Sequence, residues 1–104
     1  MYSIFTNDLN VCMFISDCIH AGYKCKNRRC YDVERHHVFG GFNRKRSEKY
    51  GFIAPLTREL HPNGVLAPED WQVIDTYLKE ECQRHYEQTH TREEFIEEFG
   101  RNYL

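Results

Sequence analysis

Apolar positions recur most regularly in the second half of the chain. Trp71, Ile74, Leu78, Cys82 and Tyr86 follow one another at steps of three, four, four and four, which is one stripe along about four turns of helix. Pro68 suits the first turn of that helix, and Glu69 and Asp70 sit near the positive end of its dipole. Thr91-Arg92-Glu93-Glu94 has the form of a capping box, Phe95, Ile96 and Phe99 give a second helix its apolar side, and Gly100 is a natural stop. The stripe reads as core, and Cys82 within it as a buried thiol.

The first half is patterned in shorter pieces. Residues 2–5 and 11–15 are rich in aromatic and branched side chains and are separated by Asn7-Asp8, so two short strands are expected there. Residues 33–39 read as a strand closed by Gly40-Gly41, and residues 52–56 as its partner. Pro55 lacks an N–H and must face an edge or the end of that partner strand. Between them, residues 40–51 read as a long loop or a loop with one turn of helix. The expected class is α+β in one domain, 1–104: N-terminal strands with a cysteine-containing insertion (1–30), a hairpin region (31–66) and a helical part (67–104).

Composition narrows the class. With 40 % hydrophobic and 29 % charged residues the chain is too apolar to be disordered and suits a single globular domain. Its longest apolar run, the five residues 11–15, is far short of the roughly 20 needed to span a bilayer. No basic-then-apolar segment opens the sequence, so a cytoplasmic, reducing setting is expected, and no membrane partner. Five cysteines, at 12, 18, 25, 30 and 82, are an odd number; free thiols or a metal site fit them better than disulfides. The net charge of −2 hides a division: residues 1–58 carry +5 and residues 59–104 carry −7. The densest basic cluster is Arg44, Lys45, Arg46 and Lys49. It reads either as a solvated loop or as a place where phosphates are held.

Candidate chemistry centres on three histidines. His36 and His37 are adjacent at the end of an expected strand, where neighbouring side chains point to opposite faces. One ring can then bind a cation while the other faces a substrate. His61 follows the partner strand, and two histidines around a divalent cation leave positions open for water and phosphate oxygens. Taken alone, the three residues fit surface or core histidines as well.

The strings Arg35-His36-His37-Val38-Phe39-Gly40-Gly41, Asn43-Arg44-Lys45, Ser47-Glu48-Lys49-Tyr50-Gly51 and Phe99-Gly100-Arg101-Asn102-Tyr103-Leu104 together resemble the small HNH-type proteins of phages and prophages, over about residues 31–104. That resemblance implies a ββα-metal (His-Me finger) nuclease: two strands and a helix gripping one Mg²⁺ or Mn²⁺ in a DNA endonuclease. It implies His36 and His61 as metal ligands and His37 as the general base that activates water. Arg44, Lys45, Arg46 and Lys49 would hold phosphates. The asparagine that fixes the base in many such motifs has no counterpart around Tyr50-Gly51, and Asn43 and Asn63 are the candidates for its task.

Cys12, Cys18, Cys25 and Cys30 have irregular spacings, yet four thiolates within 19 residues can close a tetrahedron around a structural Zn²⁺. Two other functions stay open. One is a decayed nuclease scaffold that inhibits a host defence enzyme through an acidic helical face bearing Glu80, Glu87 and Glu94. The other is a zinc-stabilised DNA-binding module without catalysis.

Overall fold

The computed structural model describes residues 1–10, 12–13, 33–57 and 68–104. Strand β1 (Val33–His37) pairs antiparallel with β2 (Ile53–Thr57), and helix α1 (Arg44–Tyr50) with a preceding 3-10 turn (Gly41–Asn43) fills the connection. Helices α2 (Pro68–Tyr86) and α3 (Arg92–Phe99) follow. The described residues thus form an α+β unit with a two-stranded sheet. None of their helices is long and apolar enough to cross a membrane.

The register runs from Val33 opposite Thr57 to His37 opposite Ile53. The outward carbonyls of Gly51 and Pro55 accept the N–H groups of Ile4 (2.8 Å) and Met13 (3.0 Å), and the Ser3 hydroxyl donates to the carbonyl of Ile53. Residues 51, 53 and 55 therefore turn their backbone polar groups away from β1. The imide nitrogen of Pro55 lies on that same outer edge, so no ladder bond is lost to it.

Residues 2–5 do not form the expected strand. Ser3 spends its hydroxyl twice, donating to Ile53 and accepting the N–H of Phe5 at 3.0 Å, and the second bond bends the chain. Of the second expected N-terminal strand, Cys12 and Met13 are described and neither is in a strand; the rest of it, and residues 16–30, lie outside the described residues. The connection 40–51 is also more ordered than a loop. Gly51 ends α1 with φ of +74°, and a Cβ there would stand 2.5 Å from the Tyr2 ring, so two constraints favour glycine.

The helical half follows its pattern closely. Ile74, Leu78 and Cys82 are fully buried and Tyr86 nearly so; burial pushes the Cys82 thiol well above its ordinary pKa. At the start of α3 the Thr91 hydroxyl accepts from the Glu94 N–H (3.1 Å) while the Glu94 carboxylate accepts from the Thr91 N–H (2.9 Å). Ile96, expected on the apolar side, is instead 38 % exposed; only Phe95 and Phe99 turn inward. Between helices and sheet lies an aromatic cluster around Phe39, whose ring centre is 4.5 Å from Phe99, 5.9 Å from Phe52 and 5.9 Å from Phe95.

Two polar side chains tie this core together. Gln83, fully buried, donates to Glu87 and Asn102 and accepts the N–H of Tyr103, all at 2.7 Å. Every hydrogen-bonding position of its amide but one lone pair is used, which is what makes its burial tolerable. Glu98 Oε2 accepts the hydroxyls of Tyr50 and Tyr86, both at 2.6 Å, and so joins α1, α2 and α3. Burial would raise the Glu98 pKa, but the two hydroxyls and nearby Lys49 and Arg46 outweigh it and hold the carboxyl below its ordinary value.

Replacing Gln83 by Leu leaves the Tyr103 N–H without its acceptor. It should cost about 2–3 kcal/mol, measurable as a lower urea midpoint with unchanged slope. The tyrosines give a second expectation. Burial first, then the Glu98 hydrogen bond and charge, push Tyr50 up to about 12 and Tyr86 higher still. Both shifts are upward, so their contribution to stability is complete below pH ~10 and declines as pH rises from there towards 12. Ultraviolet titration should show a late phenolate step coincident with unfolding, absent from the Tyr50→Phe/Tyr86→Phe double variant.

Candidate functional site

Alternation along β1 sends its two terminal histidines apart. His36, opposite Ala54 in the register, faces the side of the sheet that packs on α2. Its ring meets the indole of Trp71 edge-on, with centroids 5.2 Å apart. His37, opposite Ile53, faces α1, and its Nε2 lies 3.0 Å from Glu48 Oε1. The His37 side chain is only 10 % exposed, whereas Glu48 is 43 % exposed.

This contact fixes the tautomer. The hydrogen bond from His37 outweighs the opposing effect of desolvation and, with the charges of His37 and Arg44, holds the Glu48 carboxyl below its ordinary value. Glu48 is therefore ionised near neutrality and can only accept. The shared proton sits on Nε2, and in the neutral ring Nδ1 keeps its lone pair. A carboxylate on one nitrogen and a proton acceptor on the other is the arrangement of an oriented general base.

Ser47 sets the position of Glu48. Its buried hydroxyl donates to the Phe39 carbonyl (2.7 Å) and accepts the Phe39 N–H (3.0 Å), while its own carbonyl accepts the N–H of Phe52 (2.8 Å). Three bonds from one residue clamp α1 against both strands, and the next residue along reaches His37.

The basic residues expected to hold phosphates lie on α1 rather than on a loop. Arg44, Lys45 and Lys49 are exposed. Arg44 precedes Glu48 by one helical turn and its charge acts on that carboxylate, whereas Lys49 lies over the Tyr50 ring, 5.1 Å from its centroid, and near Glu98. Arg46 is committed elsewhere: Nη1 donates to Asn43 Oδ1 at 2.7 Å, and Nε is 4.0 Å from Glu98 Oε1. Asn43 thus serves Arg46, and the group found against His37 is Glu48.

His61 and Asn63 lie outside the described residues, as do Cys18, Cys25 and Cys30; Cys12 is buried in the core cluster. Among the described residues no three His, Cys, Asp or Glu side chains come together to hold a metal ion. Of the two histidines expected to bind the catalytic cation, the described residues contain His36, set on the α2 side of the hairpin. The acidic residues proposed as a mimic of nucleic acid are largely engaged within the chain. Glu87 binds Arg92 and Gln83, Glu80 pairs with Arg84 at 3.4 Å, and Glu94 closes the capping box.

Glu48 and Ser47 were not legible as functional in the sequence. Residues 44–50 carry a single apolar side chain, Tyr50, so no periodicity marks the helix that places them.

Replacing Ser47 by Ala should cost about 1–3 kcal/mol by orphaning the Phe39 peptide groups. Nitrogen-detected NMR should find the neutral His37 ring protonated at Nε2 in the native protein and a mixture of tautomers in Glu48→Ala. A native ring protonated mainly at Nδ1 would contradict the assignment.

Comparison with known proteins supplies no further constraint: no family model, no curated protein and no solved structure matches the chain.

Proposed function

We propose that the protein is a metal-dependent DNA endonuclease of the ββα-metal, HNH-like kind, as its resemblance to small phage proteins implies. The observation that carries the reading is His37: a shielded imidazole held by Glu48 through one nitrogen, beside the cations of α1.

In this reading Nδ1 of His37 takes a proton from water as the water oxygen bonds to phosphorus, and Glu48 stabilises the imidazolium that forms. The bond from phosphorus to the 3′ oxygen breaks, that oxygen takes up a proton, and the strand ends are a 5′-phosphate and a 3′-hydroxyl. Arg44, Lys45 and Lys49 hold flanking phosphates by charge and carry no base readout. A divalent cation bound by His36 and His61 would add Lewis-acid stabilisation of the developing negative charge. The His36 imidazole stands against Trp71 on the α2 side of the sheet, and it would be one half of such a two-histidine site.

Purified protein should nick or cut plasmid DNA with Mg²⁺ or Mn²⁺. His37→Ala should lower the rate by about 10²–10⁴ with an unchanged circular dichroism spectrum. Glu48→Gln should lower kcat more than it raises KM. The metal has its own readout, because Trp71 is the one tryptophan of the chain and touches His36. Mn²⁺ should quench its emission in the native protein and not in His36→Ala. Plasmid left intact with every divalent metal tried defeats the proposal.

A further inference from the structure

Phe42 is 92 % exposed, more than any other large apolar side chain among the described residues; Met1 follows at 64 %. Burying a phenylalanine typically contributes about 1.5–3 kcal/mol, and this ring contributes none of that to the fold. It stands on the 3-10 turn, directly after Gly40-Gly41 and directly before α1.

Its surroundings are polar and positive. The Arg46 guanidinium lies 5.5 Å from the ring centroid, and Asn43 and Glu98 hold that arginine in place. Arg44 and Lys45 follow the turn and are exposed. The one acidic residue on the turn or on α1 is Glu48, which is occupied by His37. An open aromatic face rimmed by cations matches a nucleotide, whose base supplies a flat π surface and whose phosphates supply negative charge. A lipid surface would ask for a contiguous apolar face, and the neighbours of Phe42 in the chain are Gly41 and Asn43.

We infer that Phe42 is a stacking platform for an unpaired base, and that the preferred substrate is single-stranded or locally opened DNA. The choice of ligand rests on the DNA-cleaving reading above. Phe42 precedes Glu48 by two residues of tight turn and four of helix, about 10 Å along the axis. The platform and the His37–Glu48 pair therefore belong to one continuous turn-and-helix segment, within reach of a single bound strand.

The test is binding of labelled oligonucleotides, single-stranded and blunt duplex, by fluorescence anisotropy in EDTA so that nothing is cut. The native protein should bind the single strand more tightly than the duplex. Phe42→Ala should weaken single-strand binding about fivefold to a hundredfold without changing its salt dependence. Phe42→Trp should bind like the native protein, and Lys45→Ala should reduce the salt slope by about 0.7–0.9. If Phe42→Ala binds like the native protein while Lys45→Ala is weakened, the stacking role is wrong and the DNA reading survives. Tighter binding to duplex overturns the single-strand assignment. Absence of salt-dependent binding to either DNA overturns both ideas. Phe42-dependent binding to anionic phospholipid vesicles, with DNA affinity unchanged in Phe42→Ala, assigns the ring to a membrane surface instead.

Discussion

Ser47 is where the arrangement of this protein is decided. A serine inside a helix ordinarily weakens it slightly, because its hydroxyl competes for backbone partners. Here the hydroxyl serves the peptide of Phe39, eight residues earlier, on both its N–H and its carbonyl side. The Ser47 carbonyl meanwhile receives Phe52 from the returning strand. The connection between the strands is thereby fastened at both ends. Phe39 is turned into the aromatic cluster, and Glu48 is delivered to His37. Core and site share one polar contact, so neither can shift without the other.

The second consequence is a sheet with two differently used faces. One carries Ala54 and Leu56 into the core beside Ile74 and Leu78, and places His36 against Trp71. The other places His37 against α1. Among the described residues the sheet has two strands, and the N-terminal segment caps the outer edge of β2 at Gly51, Ile53 and Pro55. An edge covered in this way offers no template for a further strand.

Polar side chains do unusual structural work for so small a core. Gln83 pins the C-terminal residues to α2, and Glu98 gathers the hydroxyls of Tyr50 and Tyr86 at the meeting of three helices. Both are supplied with partners, which turns a cost of burial into a constraint on geometry. The acidic half of the chain is used in the same spirit. Many of its carboxylates cap, bridge or accept within the helices, while three of the four cations of α1 remain exposed. The exposed positive charge of α1 and the exposed Phe42 ring on the turn before it are consequently found side by side along the chain.

Helices α2 and α3 were determined by the sequence itself. Their signals are local: a repeat of three and four, a capping box and a terminal glycine, each acting within a few residues of backbone. The hairpin and the outward edge of Pro55 were legible for the same reason. What only the tertiary structure decided depends on contacts between residues distant in the chain or lacking any period. Residues 2–5 lost their strand to a hydroxyl of Ser3, α1 arose in a stretch with one apolar residue, and Ile96 turned outward. His37 found its partner in Glu48 because a serine beside it was bonded to Phe39. Periodicity records what a segment must bury, and it carries no information about which polar group a distant backbone will need.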